Sequence, residues 1–181
     1  MMTKVLVVYS TRHGATKGIA EQITRTLVDA GVDGRIRSVP NIDTLEGFDA
    51  FVIGSAVYLG HWQREARDLI RRNTSVLAGK PVWLFSSGPL GTDSADSESR
   101  DLRAEVPDIA EIRRHLDVRA HATFFGAFDP GLPPKGVLEK LTRMMPASRE
   151  LLPRGDFRDW SEIEAWARSI ARELTAVPVP A

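Results

Sequence analysis

The chain has 181 residues, 43% hydrophobic and 27% charged, with Lys+Arg and Asp+Glu both at 24 and a formal net charge of zero. That length suits one globular domain with a core that needs no staples, and a neutral total removes the basic surplus on which nucleic-acid binding draws. There is no cysteine, which excludes disulfides, thiolate metal sites, iron–sulfur clusters and cysteine nucleophiles; any redox chemistry has to come from a bound cofactor, and no metal site is expected.

Val5 to Tyr9 is a short, continuous, β-branched run, the pattern of a parallel strand covered on both faces. The run is too short for the apolar core of a signal peptide and leads into a strand instead. No stretch approaches the ~18 apolar residues of a spanning helix, so a cytoplasmic protein is expected, with peripheral membrane contact open. Ile19, Ile23, Leu27 and Val28 recur at helical spacing up to Ala30-Gly31, where Gly31 is a natural C-terminal cap. Arg35 to Val39 reads as a polar edge strand, Phe51 to Gly54 as the third strand and Val82 to Phe85 as the fourth. Between the last two, Arg64 to Arg72 forms a helix with Ala66, Leu69 and Ile70 inward. A helix from Pro107 to Leu116 precedes a fifth strand, Ala122 to Phe128. An amphipathic helix from Ser161 to Thr175, with Ile163, Trp166, Ile170 and Leu174 on one stripe, closes the chain. Thr92 to Arg103 reads as a mobile polar loop; Asp129 to Arg158 has a Pro/Gly-rich opening, a short helix near Gly136 to Met145 and an irregular return. The order is that of an α/β fold with right-handed crossovers and a parallel sheet, one domain over 1–176 with a frayed tail over 177–181.

In an open parallel sheet, ligands bind at the carboxyl ends of the strands, where the connections reverse direction. Three segments lie there. Ser10, Thr11, Arg12, His13, Gly14, Ala15 and Thr16 combine hydroxyls, a turn glycine and a helix N-terminus, which is a phosphate cradle. It lacks the lysine of a Walker loop and the G-x-G-x-x-G spacing of a dinucleotide turn, so a phosphate monoester suits it best. An ordinary capped helix start reads the same way. Ser55, Ala56, Val57, Tyr58, Leu59, Gly60, His61 and Trp62 offer two aromatics and a histidine as neighbours for a flat ring, unless Tyr58 and Trp62 merely cover the next helix. Ser86, Ser87, Gly88, Pro89, Leu90 and Gly91 form a third loop whose backbone groups can face a ring edge; alone it is only a turn. His61 is the candidate catalytic residue, since histidine titrates near neutrality. His115 and His121 stand isolated on the chain, and Trp83 and Trp166 are packing residues.

The segment from Val7 to Thr16 resembles the FMN phosphate loop of flavodoxins. The resemblance implies a flavodoxin-like three-layer sandwich, a five-stranded parallel sheet in the order 2-1-3-4-5 with helices on both faces, and FMN at the switch point, for which flavodoxins are themselves the example. Ser10-Thr11-Arg12, Ile53 to His61 and Asp159-Trp160 are similar to the flavodoxin-like, menaquinone-dependent protoporphyrinogen oxidases of haem biosynthesis. The likeness runs from residue 3 to about residue 91 and resumes near 156–175. In between, those oxidases carry an insert rich in Arg, Tyr and apolar residues. Here the 129–158 stretch is Pro-rich and lacks Tyr and Trp, yet keeps Lys135, Lys140, Arg143, Arg149, Arg154 and Arg158. The resemblance implies an FMN-dependent oxidoreductase taking electrons from a small molecule, protoporphyrinogen being the candidate, and passing them to a quinone. The alternatives are a flavodoxin-type carrier docking on redox proteins, and a deazaflavin in place of FMN.

Overall fold

A computed structural model of the protein describes residues 2–88, 105–128 and 155–176. The readings of Thr92 to Arg103, of the Gly136 to Met145 helix and of the tail fall outside these residues.

The main sheet contains β1 (Lys4–Ser10), β2 (Asp33–Ser38), β3 (Ala50–Tyr58), β4 (His61–Trp62), β5 (Val82–Ser87) and β6 (Val118–Phe124). Five of them run parallel in the order β2-β1-β3-β5-β6, and β4 pairs antiparallel with the end of β3. Leaving the small β4 aside, this is the 2-1-3-4-5 order expected above. The helices are α1 (Ala15–Asp29), α2 (Arg64–Arg72), α3 (Thr74–Leu77), α4 (Pro107–Arg113) and α5 (Trp160–Ala176).

Period-two alternation along the strands makes two cores. Leu6 and Val8 of β1, with Phe51, Ile53 and Leu84, pack under α2, α3 and α4. Val5 and Val7, with Val52, Trp83 and Phe85, pack against α1 and α5 on the other face. Each fully buried Val, Leu, Ile or Phe contributes about 1.5–3 kcal/mol, and having both faces covered is why the strands read as unbroken apolar runs. Phe85 and Phe124 meet Trp166 edge-on at centroid distances of 6.3 and 5.6 Å and each other at a tilt, 6.2 Å apart. Trp83 and Trp166 therefore do pack in the core.

Three expectations are corrected. Val28 is 50% exposed, and the buried stripe of α1 is Ile19, Ala20, Ile23 and Leu27. Its γ-methyl instead leans over Gly34, where a Cβ would stand 3.3 Å away. The fifth strand starts at Val118 and stops at Phe124, earlier than the Ala122 to Phe128 expected. After Phe124 the chain leaves the sheet, and β7 (Ala127–Phe128) pairs with β8 (Gly155–Asp156) in a separate ribbon. The third strand runs on to Tyr58, so most of the expected second loop is the strand end of a hairpin.

Candidate functional site

At the carboxyl edge of the sheet β1 ends on Ser10, and the chain turns through Thr11 to Gly14 into α1. Gly14 has φ 90°, a left-handed conformation in which a side chain would be strained. The Thr11 hydroxyl accepts the Gly14 N–H at 3.0 Å and closes the turn. Gly14 is also the N-cap, so α1 has no side-chain cap, and no acidic residue stands in its first turn. The leading N–H groups of a helix have no intrahelical partner, and they carry the positive end of its dipole. An uncapped helix start behind a tight turn is thus a seat for an anion.

Ser10 faces the other way. It is buried on the α2 side of the sheet, where its Oγ donates to Gln63 Oε1 at 2.6 Å with Glu65 Oε2 at 3.2 Å. Gln63 N–H donates in turn to Ser55 Oγ at 2.9 Å. These contacts gather Ser10, Ser55 and Gln63 at the β1/β3 switch point. Gln63 Nε2 is buried without a hydrogen-bond partner, an unmet donor that costs about 1–3 kcal/mol. Thr16 is buried in α1, and Thr11, Arg12, His13 and Ala15 are half-buried around the turn.

The second segment is a hairpin with a two-residue turn. Tyr58 pairs with His61 across Leu59 and Gly60, whose φ values are 52° and 76°. Two successive positive φ values are the geometry that matches strand twist. Leu59, a left-handed leucine 81% exposed, forms the tip. The Arg12 guanidinium stacks on the Tyr58 ring, 4.6 Å from its centroid, so the phosphate turn and the hairpin touch. Trp62 lies below them, 2% exposed, and belongs to the α2-side core.

Trp62 is pinned from two directions. Its indole Nε1–H donates to Ser86 Oγ at 2.8 Å. Ser86 Oγ lies 2.9 Å from His121 Nε2, and His121 Nδ1 lies 3.3 Å from a Glu105 carboxylate oxygen. An indole N–H only donates, so the serine oxygen accepts it; the carboxylate beside Nδ1 favours the Nδ1–H ring, to whose bare Nε2 the serine hydroxyl donates. His121 Nδ1–H then points at Glu105. Burial pushes the His121 imidazole below the ordinary histidine value; Glu105 opposes that shift and Arg113 adds to it. His121 stands alone on the chain, but in the fold it joins the buried Ser86 to the exposed Glu105. On the other side, Asp108, 4% exposed at the start of α4, accepts the Trp62 backbone N–H at 3.0 Å and Arg67 Nη1 at 3.1 Å. The same carboxylate sits 3.2 Å from Nδ1 of His61, which is 55% exposed.

The third segment begins with Ser86 and Ser87, the buried last residues of β5. A Cβ on Gly88 would lie 3.1 Å from the Val57 carbonyl oxygen, tighter than an ordinary contact, so a larger residue would have to push this chain and the hairpin apart. Pro89, Leu90 and Gly91 lie outside the described residues. Arg158, placed above in a basic stretch, is committed elsewhere. It makes a bidentate pair with Asp156, reaches the Ala15 carbonyl at 3.3 Å and stacks on Trp160 at 4.5 Å.

The site thus joins the expected Thr11, Arg12, Gly14, Thr16, Tyr58, His61 and Gly88 at one edge of the sheet, with Ser10, Ser55, Trp62 and Ser86 beneath them. Sequence reasoning missed Gln63, Glu65, Glu105, Asp108 and the part played by His121. Only the amphipathic setting of Asp108, a carboxylate one position from the buried Ile109, signalled a buried charge.

A family model described as Flavodoxin domain matches residues 6–129. A protoporphyrinogen IX dehydrogenase [quinone] of Escherichia coli (strain K12) is 27% identical over 85 residues; the alignment covers 46% of this chain and 47% of that protein, so the chain spans about half the length of the curated relatives it matches. Among solved structures, an archaeal flavodoxin superposes with a TM-score of 0.61 at 18% identity, covering 96% of this chain and 99% of that one. Oxidised flavodoxin 2 of Bacillus cereus gives 0.59 at 20% identity, covering 94% and 99%. At these identities the structural likeness speaks for the fold, while the family model covers well over half of the chain. The strand order, the uncapped turn into α1 and the family match lead to one conclusion: the chain belongs to the flavodoxin-domain family, whose fold is that of flavin-handling redox proteins.

Proposed function

We propose that this protein binds FMN along the carboxyl edge of its sheet and works as an FMN-dependent oxidoreductase, accepting electrons from a small-molecule donor and passing them to a quinone. The observation that carries this reading is the uncapped N-terminus of α1 behind Gly14, an anion seat with neither a Walker lysine nor a dinucleotide turn. The unpartnered Gln63 amide at the switch point supports it, because a ligand with a polar chain supplies the acceptor that the fold leaves missing. Bound FMN supplies reversible electron transfer at its ring.

The chain's own residues then have separate tasks. The first-turn N–H groups of α1 and the Thr16 hydroxyl hold the phosphate, with Arg12 close by to offset its charge. Tyr58 and the hairpin tip bound the ring, Gly88 brings the third segment up to the hairpin, and His61 handles protons beside it. Trp62 acts from below by holding the hairpin rather than by stacking.

Protoporphyrinogen is the candidate donor on the strength of the partial likeness to the Escherichia coli dehydrogenase. The basic side chains between Lys135 and Arg154 are the candidates for meeting its carboxylates. No helix among the described residues is long and apolar enough to cross a membrane, and the proposed setting is cytoplasmic, with quinone reached at a membrane surface. A carrier role is the second reading. Carrier flavodoxins dock through an acidic rim, against which the zero net charge argues. A deazaflavin would use the same phosphate seat.

The test is an anaerobic spectral titration. The FMN-loaded protein is mixed with protoporphyrinogen, followed by a menaquinone analogue. Bleaching of the visible flavin band, its recovery with quinone and the appearance of porphyrin fluorescence are expected. A flavin band unmoved by protoporphyrinogen removes that donor and favours the carrier; failure to take up FMN overturns the reading altogether.

A further inference from the structure

The buried carboxylate of Asp108 has no task in the reading above beyond stability. It stands in the first turn of α4, where an acid is favoured by the helix dipole. A carboxylate serving only that purpose would spend its oxygens on α4 itself. Here Oδ1 takes Arg67 of α2, while Oδ2 takes the Trp62 N–H of β4 and faces His61 Nδ1. Desolvating a carboxylate is costly unless it is paired, and Arg67 with the Trp62 N–H offsets that cost. The geometry therefore keeps a charged acceptor under the histidine.

A carboxylate can only accept, so the neutral His61 ring must carry its hydrogen on Nδ1 and leave Nε2 bare. His61 stands next to the Leu59–Gly60 tip and is the exposed member of the pair. We infer that Asp108 is a positioning residue: it sets the Nδ1–H tautomer of His61 and holds Nε2 as the atom that takes up the proton released when a donor gives an electron pair to the flavin. This rests on the FMN reading above. A donor losing one C–H and one N–H hydrogen gives up two electrons and two protons. The electron pair and one proton go to the flavin, and the other proton goes to Nε2. Both protons leave with the electron pair when the quinone becomes quinol. The imidazolium formed in between lies against the Asp108 carboxylate, whose second oxygen stays on Arg67. The other charged groups that share a cleft of about 560 Å³ with Asp108 and Arg67 are Arg64, Asp68 and Arg71 of α2, Glu111 of α4 and His115 just past its end.

The experiment has one arm without cofactor and one with it. Long-range nitrogen–proton correlation spectra of the purified, flavin-free protein read the His61 tautomer directly. Wild type is expected to show the Nδ1–H form, whereas Asp108→Asn, whose amide can donate to Nδ1, is expected to show the Nε2–H form. A wild-type ring in the Nε2–H form overturns the inference, and needs no variant to do so. In the second arm, protons taken up per electron pair are counted while the FMN-loaded protein is reduced at mildly alkaline pH. Uptake one proton lower in both His61→Gln and Asp108→Asn than in wild type is expected. Equal uptake in all three overturns the inference, because a merely structural Asp108 would change stability and leave the count alone. If FMN does not bind, the reading beneath the inference fails while the tautomer arm still reports on the pair.

Discussion

The two ends of the site are built on different principles. At the proposed phosphate end a strand stops, a left-handed glycine turns the chain, and the leading main-chain N–H groups of one helix are left without a side-chain cap. At the hairpin end almost nothing is local. Trp62 is held by Asp108, which stands 46 residues away, and by Ser86, which leads to His121 and Glu105 on two further segments. The first end is a short piece of chain that depends on its own backbone. The second is a buried polar network that succeeds only if every member is satisfied. The contrast teaches where each end is vulnerable: the first to backbone strain, the second to the loss of any distant partner.

The largest effect is expected at the network's centre. Asp108→Ala leaves the buried Trp62 N–H and the Arg67 guanidinium without their acceptor and should cost about 3 kcal/mol of stability. Urea unfolding followed by Trp fluorescence measures it; a loss within 0.5 kcal/mol of wild type would mean that the hairpin end does not depend on its distant partners. At the other end, Gly14→Ala forces a side chain into φ 90° and should cost about 1–2 kcal/mol. The sharper readout is ligand choice. The variant should lose much of its preference for FMN over riboflavin, because in the proposed reading the turn it strains faces the phosphate and not the ring. Equal weakening of both ligands in calorimetric titrations would move the strain to the ring and undo the division into two ends.

The smallest effect concerns pH. Burial holds His121 below the 6.5 of an unfolded histidine, so in acid the unfolded chain binds a proton that the folded chain does not. The stability associated with a neutral His121 is fully present above that value and is lost as pH falls from there through the lower folded-state value. His121→Gln should flatten the stability profile over that window, and Trp62 fluorescence should become less sensitive to acid. An unchanged profile would place the acid sensitivity elsewhere.

How much of the site was legible follows the same line. Residues 10–16 could be read as an anion seat because a strand end, a glycine and a helix start are local patterns. His61 stands out for its near-neutral chemistry, and Tyr58 and Trp62 beside it for their flat rings. One of these is half-exposed under Arg12, and the other faces the core, a difference that strand register decides. β3 continues through Tyr58 and turns back on two residues, which sends Trp62 inward and His61 outward. Asp108 and His121 carried no local sign of their partners. Each sits in an element whose own periodicity is satisfied, and their meeting with β4 and β5 depends on the order in which the strands lie.

By itself the sequence determined the alternation of strands and helices, the parallel sheet and the glycine turn into α1. Apolar period, turn glycines and helix ends are short-range properties encoded within a dozen residues. Only the tertiary structure decided which polar groups are buried together at the hairpin. That outcome depends on burial and on partners from β4, β5, β6, α2 and the segment leading into α4, and a buried polar group acquires its protonation and its tautomer from the company the fold gives it.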